Sequence, residues 1–244
     1  MRSRLYEAYA TQHAGCGRDK AAALVYQRDI RPLLPPPAVG PVVDLGCGRG
    51  ELVRLLQADG FDAEGIDISP EQVALARVAG VARVCQGDFR AILAAHPGHY
   101  AAITATDLLE HFTKPEVLQT FDDVAAALAP GGIFVGRVPN AVSPLGGHIR
   151  DGDFTHHTPF TARSIRQLAT AAGFDTVLAR SSPPVTHGLA SAARVTVWQL
   201  VSACYRIALA AETGTLRGHI VTMNLTFAAR KGAKPGNPAY RNPA

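Results

Sequence analysis

The sequence predicts an α/β fold built on an open, mostly parallel sheet, and three observations lead there. Val42-Val43-Asp44-Leu45 runs straight into Gly46-Cys47-Gly48-Arg49-Gly50, after which Leu52, Val53, Leu55 and Leu56 fall at helical rather than alternating spacing. That is strand, tight turn, helix. An acid, Asp67, then closes the next apolar stretch about twenty residues past the turn, where the second strand of such a unit ends. Strand-like and helix-like runs go on alternating as far as residue 179, the order that gives a parallel sheet covered by helices.

Composition sets the bounds. At 244 residues the chain is one domain with room for an appendage, and 47% hydrophobic with 18% charged residues is ordinary globular usage. The net charge of +4 is mild, and Arg230, Lys231, Lys234 and Arg241 of the tail supply much of it. Nothing resembles the basic, aromatic-interleaved patch that tracks nucleic acid, so no nucleic-acid partner is expected. Cys16, Cys47, Cys85 and Cys204 lack C-x-x-C spacing and read as free thiols of a cytoplasmic protein. The first residues alternate polar and charged types without an apolar core, which argues against a signal peptide.

Residues 1–40 read as helical and then proline-rich, with Tyr6, Tyr9 and Leu24-Val25-Tyr26 on amphipathic faces. This segment is either a lid over a ligand or packing on the core. Pro35-Pro36-Pro37 ends it. In the turn that follows β-like residues 42–45, glycine lets the backbone bend and approach a ligand. The next helix N-terminus offers unpaired N–H groups. The glycines stand at every second position rather than as G-x-G-x-x-G, and Asp44 precedes them. A carboxylate there repels a pyrophosphate and attracts an ammonium, so the ligand implied carries an amino-acid group. Residues 62–68 form the second strand, and the two oxygens of Asp67 match two vicinal ribose hydroxyls. Ser69 and Pro70 open a helix. Residues 81–89 are the third strand and its exit. There Asp88 can accept from an exocyclic amine and Phe89 can flank an adenine, or the two are a loop acid beside a core aromatic. The fourth strand, 100–105, runs into Thr106-Asp107-Leu108-Leu109-Glu110-His111-Phe112, which puts Asp107, Glu110 and His111 at the carboxyl edge of the sheet. A helix over 116–129, a turn at Pro130-Gly131-Gly132 and a fifth strand over 133–138 follow.

DLGCGRG, GIDIS, GDF, LLEHF and LAPGG stand in the order found in class I S-adenosylmethionine (SAM) methyltransferases, and from residue 42 to residue 138 the chain resembles that family. The resemblance implies a Rossmann-like, seven-stranded, mostly parallel sheet between helices with the last strand antiparallel, here over residues 41–230. It implies SAM as cofactor. Carried over by position, Gly46, Cys47 and Gly48 line the methionine part and Asp44 neighbours its amino group. Asp67 takes the ribose beside Ile68, Asp88 takes the adenine amine, Phe89 lies beside the ring, and Asp107 closes the methionine end.

The stretch 139–160 is a loop long enough to suggest function, with His148, Arg150, Asp153, His156 and His157 in it. Its PN…SP…G…GDFTH pattern resembles a bacterial subgroup of small-molecule methyltransferases acting in sugar, polysaccharide or secondary-metabolite contexts. The LEH and Pro-Asn context is also similar to ubiquinone-type O-methyltransferases. Methyl transfer is an in-line displacement at a sulfonium carbon, so the protein mainly positions the acceptor. A hydroxyl acceptor must also lose its proton, which suits a histidine near pH 7. His156 and His111 are the candidate bases, with Glu110 orienting His111 or accepting from substrate; alternatively His111 packs under the sheet edge and Glu110 caps a helix. Asp107-x-x-Glu110-His111 with His156 also resembles the ExxEH…H metal site of small-RNA 2′-O-methyltransferases, where a divalent metal would polarise the hydroxyl. The first acid is Asp here and the RNA-binding context is missing, so no metal ligand is assigned and the metal-assisted route stays an alternative. N-methylation of a small-molecule amine is the other, and it asks less of a base. A SAM-binding protein without transfer activity is a different class, against which the intact Glu110, His111 and His156 argue.

Thr161 caps a helix over 162–172, and 174–179 form the sixth strand. A long extra helix over 190–211 is read with a polar stripe of Gln199, Ser202 and Arg206 and an apolar one of Trp198, Val201, Tyr205 and Ala208. Arg194 and Arg206 keep it short of the ~20 apolar residues of a membrane span. It packs on the domain or a partner subunit of a homodimer, walls the acceptor pocket, or touches a membrane surface. Residues 220–229 are the closing strand, and the tail 231–244 has little to bury and is expected to be disordered.

Overall fold

The computed structural model describes residues 18–186, 188–215 and 217–233. Val42–Leu45 (β1) is buried along its whole length, as an apolar run with both faces covered must be. It starts a seven-stranded sheet with β2 (Ala63–Asp67), β3 (Val84–Gln86), β4 (Tyr100–Thr106), β5 (Leu128–Pro139), β6 (Phe174–Ser182) and β7 (Asn224–Lys231). The order is β3-β2-β1-β4-β5-β7-β6. Strands β1 to β5 are parallel, while β7 runs antiparallel to both β5 and β6. The expected sheet, with its last strand reversed, is present. Strand order turns outward on either side of β1 and β4, and ligands of open α/β sheets bind at the carboxyl ends of such a pair. The glycine turn leaves β1 there, and Asp107 to His111 leave β4.

Helices cover both faces. They are α1 (Arg18–Val25, continued by a π turn at Tyr26–Ile30), α2 (Glu51–Ala58), α3 (Pro70–Val78), α4 (Phe89–Ala95), α5 (Lys114–Ala127), α6 (Gly146–Arg150), α7 (Ala162–Ala171) and α8 (Leu189–Thr213). Tyr26 is buried in the core on the α2 face, and its hydroxyl donates to Asp59 Oδ2 at 2.8 Å. Arg31 Nε reaches the same oxygen at 3.0 Å. Of the two readings of the first segment, Tyr26 therefore shows packing. Tyr6 and Tyr9, and with them the question of a lid, lie outside the described residues, as does the tail from residue 234.

Several boundaries differ from expectation for local reasons. β3 stops at Gln86 because Asp88 caps α4, accepting from Arg90 N at 3.0 Å. β5 begins at Leu128, so Pro130-Gly131-Gly132 lies inside it, absorbed by a register shift between Tyr100 and Ala102 of β4. β7 starts at Asn224 rather than at 220. In α8 the expected stripes are partly reversed: Ser202 is 4% exposed and Val201 43% exposed. The long helix thus turns apolar side chains outward. No helix among the described residues is long and apolar enough to cross a membrane.

The core under the last strands is aromatic. Phe134 and Phe227 meet edge to face at 5.2 Å between centroids, and Phe121 meets Phe134 at 5.3 Å. Phe227 lies across the sheet from Gly136, where a methyl group would overlap its ring. Phe227→Ala leaves a void that Phe134 of β5 and Phe121 of α5, each anchored in its own element, cannot fill, so it is expected to lower unfolding free energy by about 3–5 kcal/mol in a denaturant titration.

Candidate active site

The turn after β1 is held by backbone. Gly46, Gly48 and Gly50 have φ of 66°, 53° and 73°, in the left-handed region where a side chain is strained. Gly46 N and Cys47 N both donate to the Ile66 carbonyl of β2, at 2.8 and 3.0 Å. Gly48 N donates to Asp67 Oδ2 at 2.8 Å, and Ser69 N to Asp67 Oδ1 at 2.8 Å. Asp67 thus locks the turn to the exit of β2, keeping further lone pairs on each oxygen. A Cβ on Gly48 would meet nothing nearer than 3.9 Å, so this backbone is an open cradle; a Cβ on Gly46 would stand 2.8 Å from Leu108.

Asp44 lies beneath the cradle, 2% exposed, and accepts from Thr104 Oγ1 at 2.7 Å. Burial pushes its pKa up to about 7; the Thr104 hydrogen bond opposes this and the charge of Asp67 adds to it. A buried carboxyl poised there fits a cationic group. Burial likewise raises the pKa of Asp67, against the Ser69 and Gly48 hydrogen bonds.

Asp44, Gly46, Gly48 and Asp67 are brought together. Ile68, next along, is 65% exposed, an apolar side chain open to solvent at the same edge. Cys47 faces inward against Gly65, and burial pushes its thiol up. Phe89 is in the core, its ring 5.9 Å from that of Phe112. Asp88 caps α4 through Arg90 N. Cys47, Cys85 and Cys204 are free thiols.

A second cluster sits at the end of β4. Asp107 has φ of 53°, its N–H donates to the Arg137 carbonyl at 2.9 Å, and its carboxylate lies 3.5 Å from Arg137 Nη1. Loop 139–160 folds back onto the turn Leu109–His111. His157 N and Thr158 N donate to the Glu110 carbonyl at 2.7 and 3.1 Å. Thr158 Oγ1 donates to the Phe112 carbonyl at 2.6 Å. Asn140 Nδ2 ties the start of the loop to the carbonyls of Ile220 and Thr222 at 2.7 and 2.8 Å.

These bonds bring Glu110, His111 and His156 together. Their ligand atoms lie within 4.8 Å of one another, and the two imidazoles meet edge to face at 4.7 Å. His156 Nδ1 is 3.1 Å from the Ile149 carbonyl, which can only accept, so the neutral ring keeps its lone pair on Nε2. His111 Nδ1 is 2.7 Å from Thr155 Oγ1, whose own proton goes to Asp153 Oδ1 at 2.6 Å. By the same logic His111 also keeps its lone pair on Nε2. Thr155 is thus the group that engages His111 Nδ1. Burial, and then the charge of His156, lowers the His111 pKa to about 4, so this ring is neutral at pH 7. Burial first and Asp107 second push Glu110 well above the usual carboxylate range. Its Oε2 is buried without a hydrogen-bond partner. Glu110, Asn140, Gly146, Arg150, His156 and Thr158 line a small cleft. His148 and His157 face solvent.

Sequence reasoning missed Thr104, Thr155 and Arg137. Thr104 could have been flagged as a polar residue in the middle of a buried strand. For Thr155 the local signal was weak, since its role depends on a loop folding back over forty positions to His111.

Comparison with known proteins places these features in context. A family model described as "Methyltransferase domain" matches residues 18–179. A ubiquinone biosynthesis O-methyltransferase of Xylella fastidiosa (strain 9a5c) is 35% identical over 103 residues, 40% of this chain and 41% of that protein. The matched stretch thus spans about two-fifths of the length of this curated relative. In three dimensions, a SAM-dependent methyltransferase from Archaeoglobus fulgidus superposes with a TM-score of 0.67 at 17% identity, covering 95% of this chain and 100% of that one. A SAM-dependent methyltransferase from Thermotoga maritima, described as a possible histamine N-methyltransferase, gives a TM-score of 0.65 at 14% identity with the same coverage.

Proposed function

Since this chain belongs to the methyltransferase-domain family, we propose that it transfers the methyl group of SAM to a hydroxyl of a small molecule, with His156 as general base. The observation that carries this reading is the His156 ring. Its Nδ1 is engaged by a main-chain carbonyl, so Nε2 presents a lone pair to the cleft. A hydroxyl acceptor needs such a base, and the matched relatives are named for O-methylation.

In this reading the cradle of Gly46 and Gly48 receives the methionine end of SAM, with Asp44 against its ammonium and Asp107 closing that end. Asp67 takes the ribose, Ile68 and the Asp88–Phe89 corner border the adenine, and loop 139–160 holds the acceptor. The test is incubation of purified protein with methyl-labelled SAM and a panel of hydroxyl- and amine-bearing small molecules. Label in a methyl ether supports the reading. Label only on nitrogen, or none with every acceptor despite tight SAM binding, overturns it.

One observation favours a second reading. Glu110, whose Oε2 is buried without a hydrogen-bond partner, offers a ligand atom within 4.8 Å of ligand atoms on His111 and His156, and each ring has Nδ1 beside an oxygen, Thr155 Oγ1 or the Ile149 carbonyl. One oxygen and two nitrogens suit a divalent ion, and the contacts on the far ring nitrogens are the outer-shell support metal histidines use. Such an ion would polarise an acceptor hydroxyl and lower its pKa. Dialysis against chelator, followed by metal analysis and assay, separates the two. Full activity without metal leaves His156 as the base; loss of activity restored by a divalent ion assigns the three residues as ligands.

A further inference from the structure

Helix α8 turns one face to the protein and the other to water. Ser191 and Ser202 are buried, and Val195, Trp198, Tyr205 and Leu209 are half-buried. On the opposite face Ala190, Ala193, Val197, Leu200, Cys204, Ile207 and Ala211 are all exposed, Val197 by 61% and Leu200 and Ile207 by 66% each. These seven positions follow one another at intervals of 3 and 4 in strict alternation, and none is charged. An isolated surface helix carries polar residues on its wet face. A 3-4 apolar alternation is instead the a/d seam of a helix that packs along another helix.

We propose that this seam is covered by α8 of a second copy of the chain, running antiparallel. The spacing reads the same in both directions. About a centre at residue 202, Ala193 faces Ala211 of the second copy, Val197 faces Ile207, and Leu200 faces Cys204. The end pairs match small with small and branched with branched, and at the centre branched Leu200 meets small Cys204, which lets two identical surfaces close on a two-fold axis. Charge selects the direction. Arg194 and Glu212 lie 18 residues apart, a whole number of helical turns, and so on one flank of the seam. A parallel copy would set Arg194 level with Arg194. The antiparallel copy brings it to within about 3 Å, along the axis, of the level of Glu212. The segment carrying α8 is also tied to the cleft, because Asn140 holds the carbonyls of Ile220 and Thr222 at its far end. Pairing would brace the acceptor loop.

The test is sedimentation velocity of the full chain from low to high micromolar concentration. A monomer–dimer equilibrium is expected. Leu200→Glu and Ile207→Glu should each weaken it by about tenfold or more, because each places a charge in an apolar seam. Arg194→Glu should weaken it, and the double variant Arg194→Glu/Glu212→Arg should restore it, which tests direction. All four positions are exposed, and unchanged thermal melts and SAM binding would confirm that the variants fold. A chain that stays monomeric throughout, a dimer indifferent to Leu200→Glu, or a chain that binds phosphatidylcholine–phosphatidylglycerol vesicles through these residues without self-associating would each overturn the proposal.

Discussion

Replacing His156 with alanine is expected to lower kcat by about 10²–10⁴ while leaving SAM affinity unchanged, the usual cost of deleting a general base. The split follows from geometry. The cofactor cradle is built from the β1 turn and the exit of β2, whereas His156 is positioned by Ile149 in the loop after β5. The same change at His111 should cost less as a matter of proton transfer, because burial holds that ring near pKa 4 and makes it a poor base at pH 7. His111 is better placed to contribute a hydrogen bond or a metal ligand than to take a proton. The measurement is single-turnover transfer from labelled SAM to the best hydroxyl acceptor, with cofactor affinity read separately by calorimetry. An amine acceptor, nucleophilic once deprotonated, would show a much smaller loss. A His156→Ala enzyme within threefold of wild type on a hydroxyl acceptor would therefore remove the base and point to the metal or to nitrogen chemistry.

The legible parts of this molecule were those whose physics is local. Asp44, the alternating glycines and Asp67 announce themselves within 24 residues, since a turn that needs left-handed backbone can only be written with glycine. That the first five strands run parallel followed from the alternation of strand and helix, whereas the reversed last strand rested on the resemblance. The illegible parts were those decided at a distance. That Phe89 packs beside Phe112, 23 residues on, could not be read from either neighbourhood alone. Glu110 and His111 are adjacent in sequence and stay close in space, but the group that engages His111 Nδ1 is Thr155, which arrives from another segment. The face of α8 was misread for a similar reason. Ser202 looked like a solvent residue and Val201 like a core one, but the helix docks by the Ser191, Trp198 and Ser202 side and leaves the apolar seam outside. A pattern shows that one face of a helix differs from the other; only the docking shows which face is inward.

SAM affinity is expected to fall as pH is lowered from about 7 to 5, by up to tenfold per unit, with protons released on binding in that range. The argument starts from Asp44. Its pKa, raised by burial to about 7, means that the ligand-free protein holds a proton there over much of the acidic range. An ammonium group binds the ionised form, so binding must expel that proton whenever it is present. The stability of the ligand-free fold moves the other way. Between the unfolded value near 4 and the folded value near 7 the folded state binds more protons, so this residue favours folding at low pH and that contribution is lost as pH rises through 7. The ligand limits the window from above, because a free α-amino group loses its own proton at about 7.7–8.0. Calorimetry at pH 6.5 in two buffers of different ionisation enthalpy measures the proton count directly. Asp67, which faces Asp44 and is also raised by burial, is controlled for by Asp44→Asn. That variant should lose the linkage and bind SAM more weakly at pH 7.5, since the neutral amide keeps the shape and drops the charge. Affinity that is flat between pH 5 and 7.5, or unchanged linkage in Asp44→Asn, would mean that the ammonium is held elsewhere and that the buried carboxyl serves the sheet through Thr104 alone.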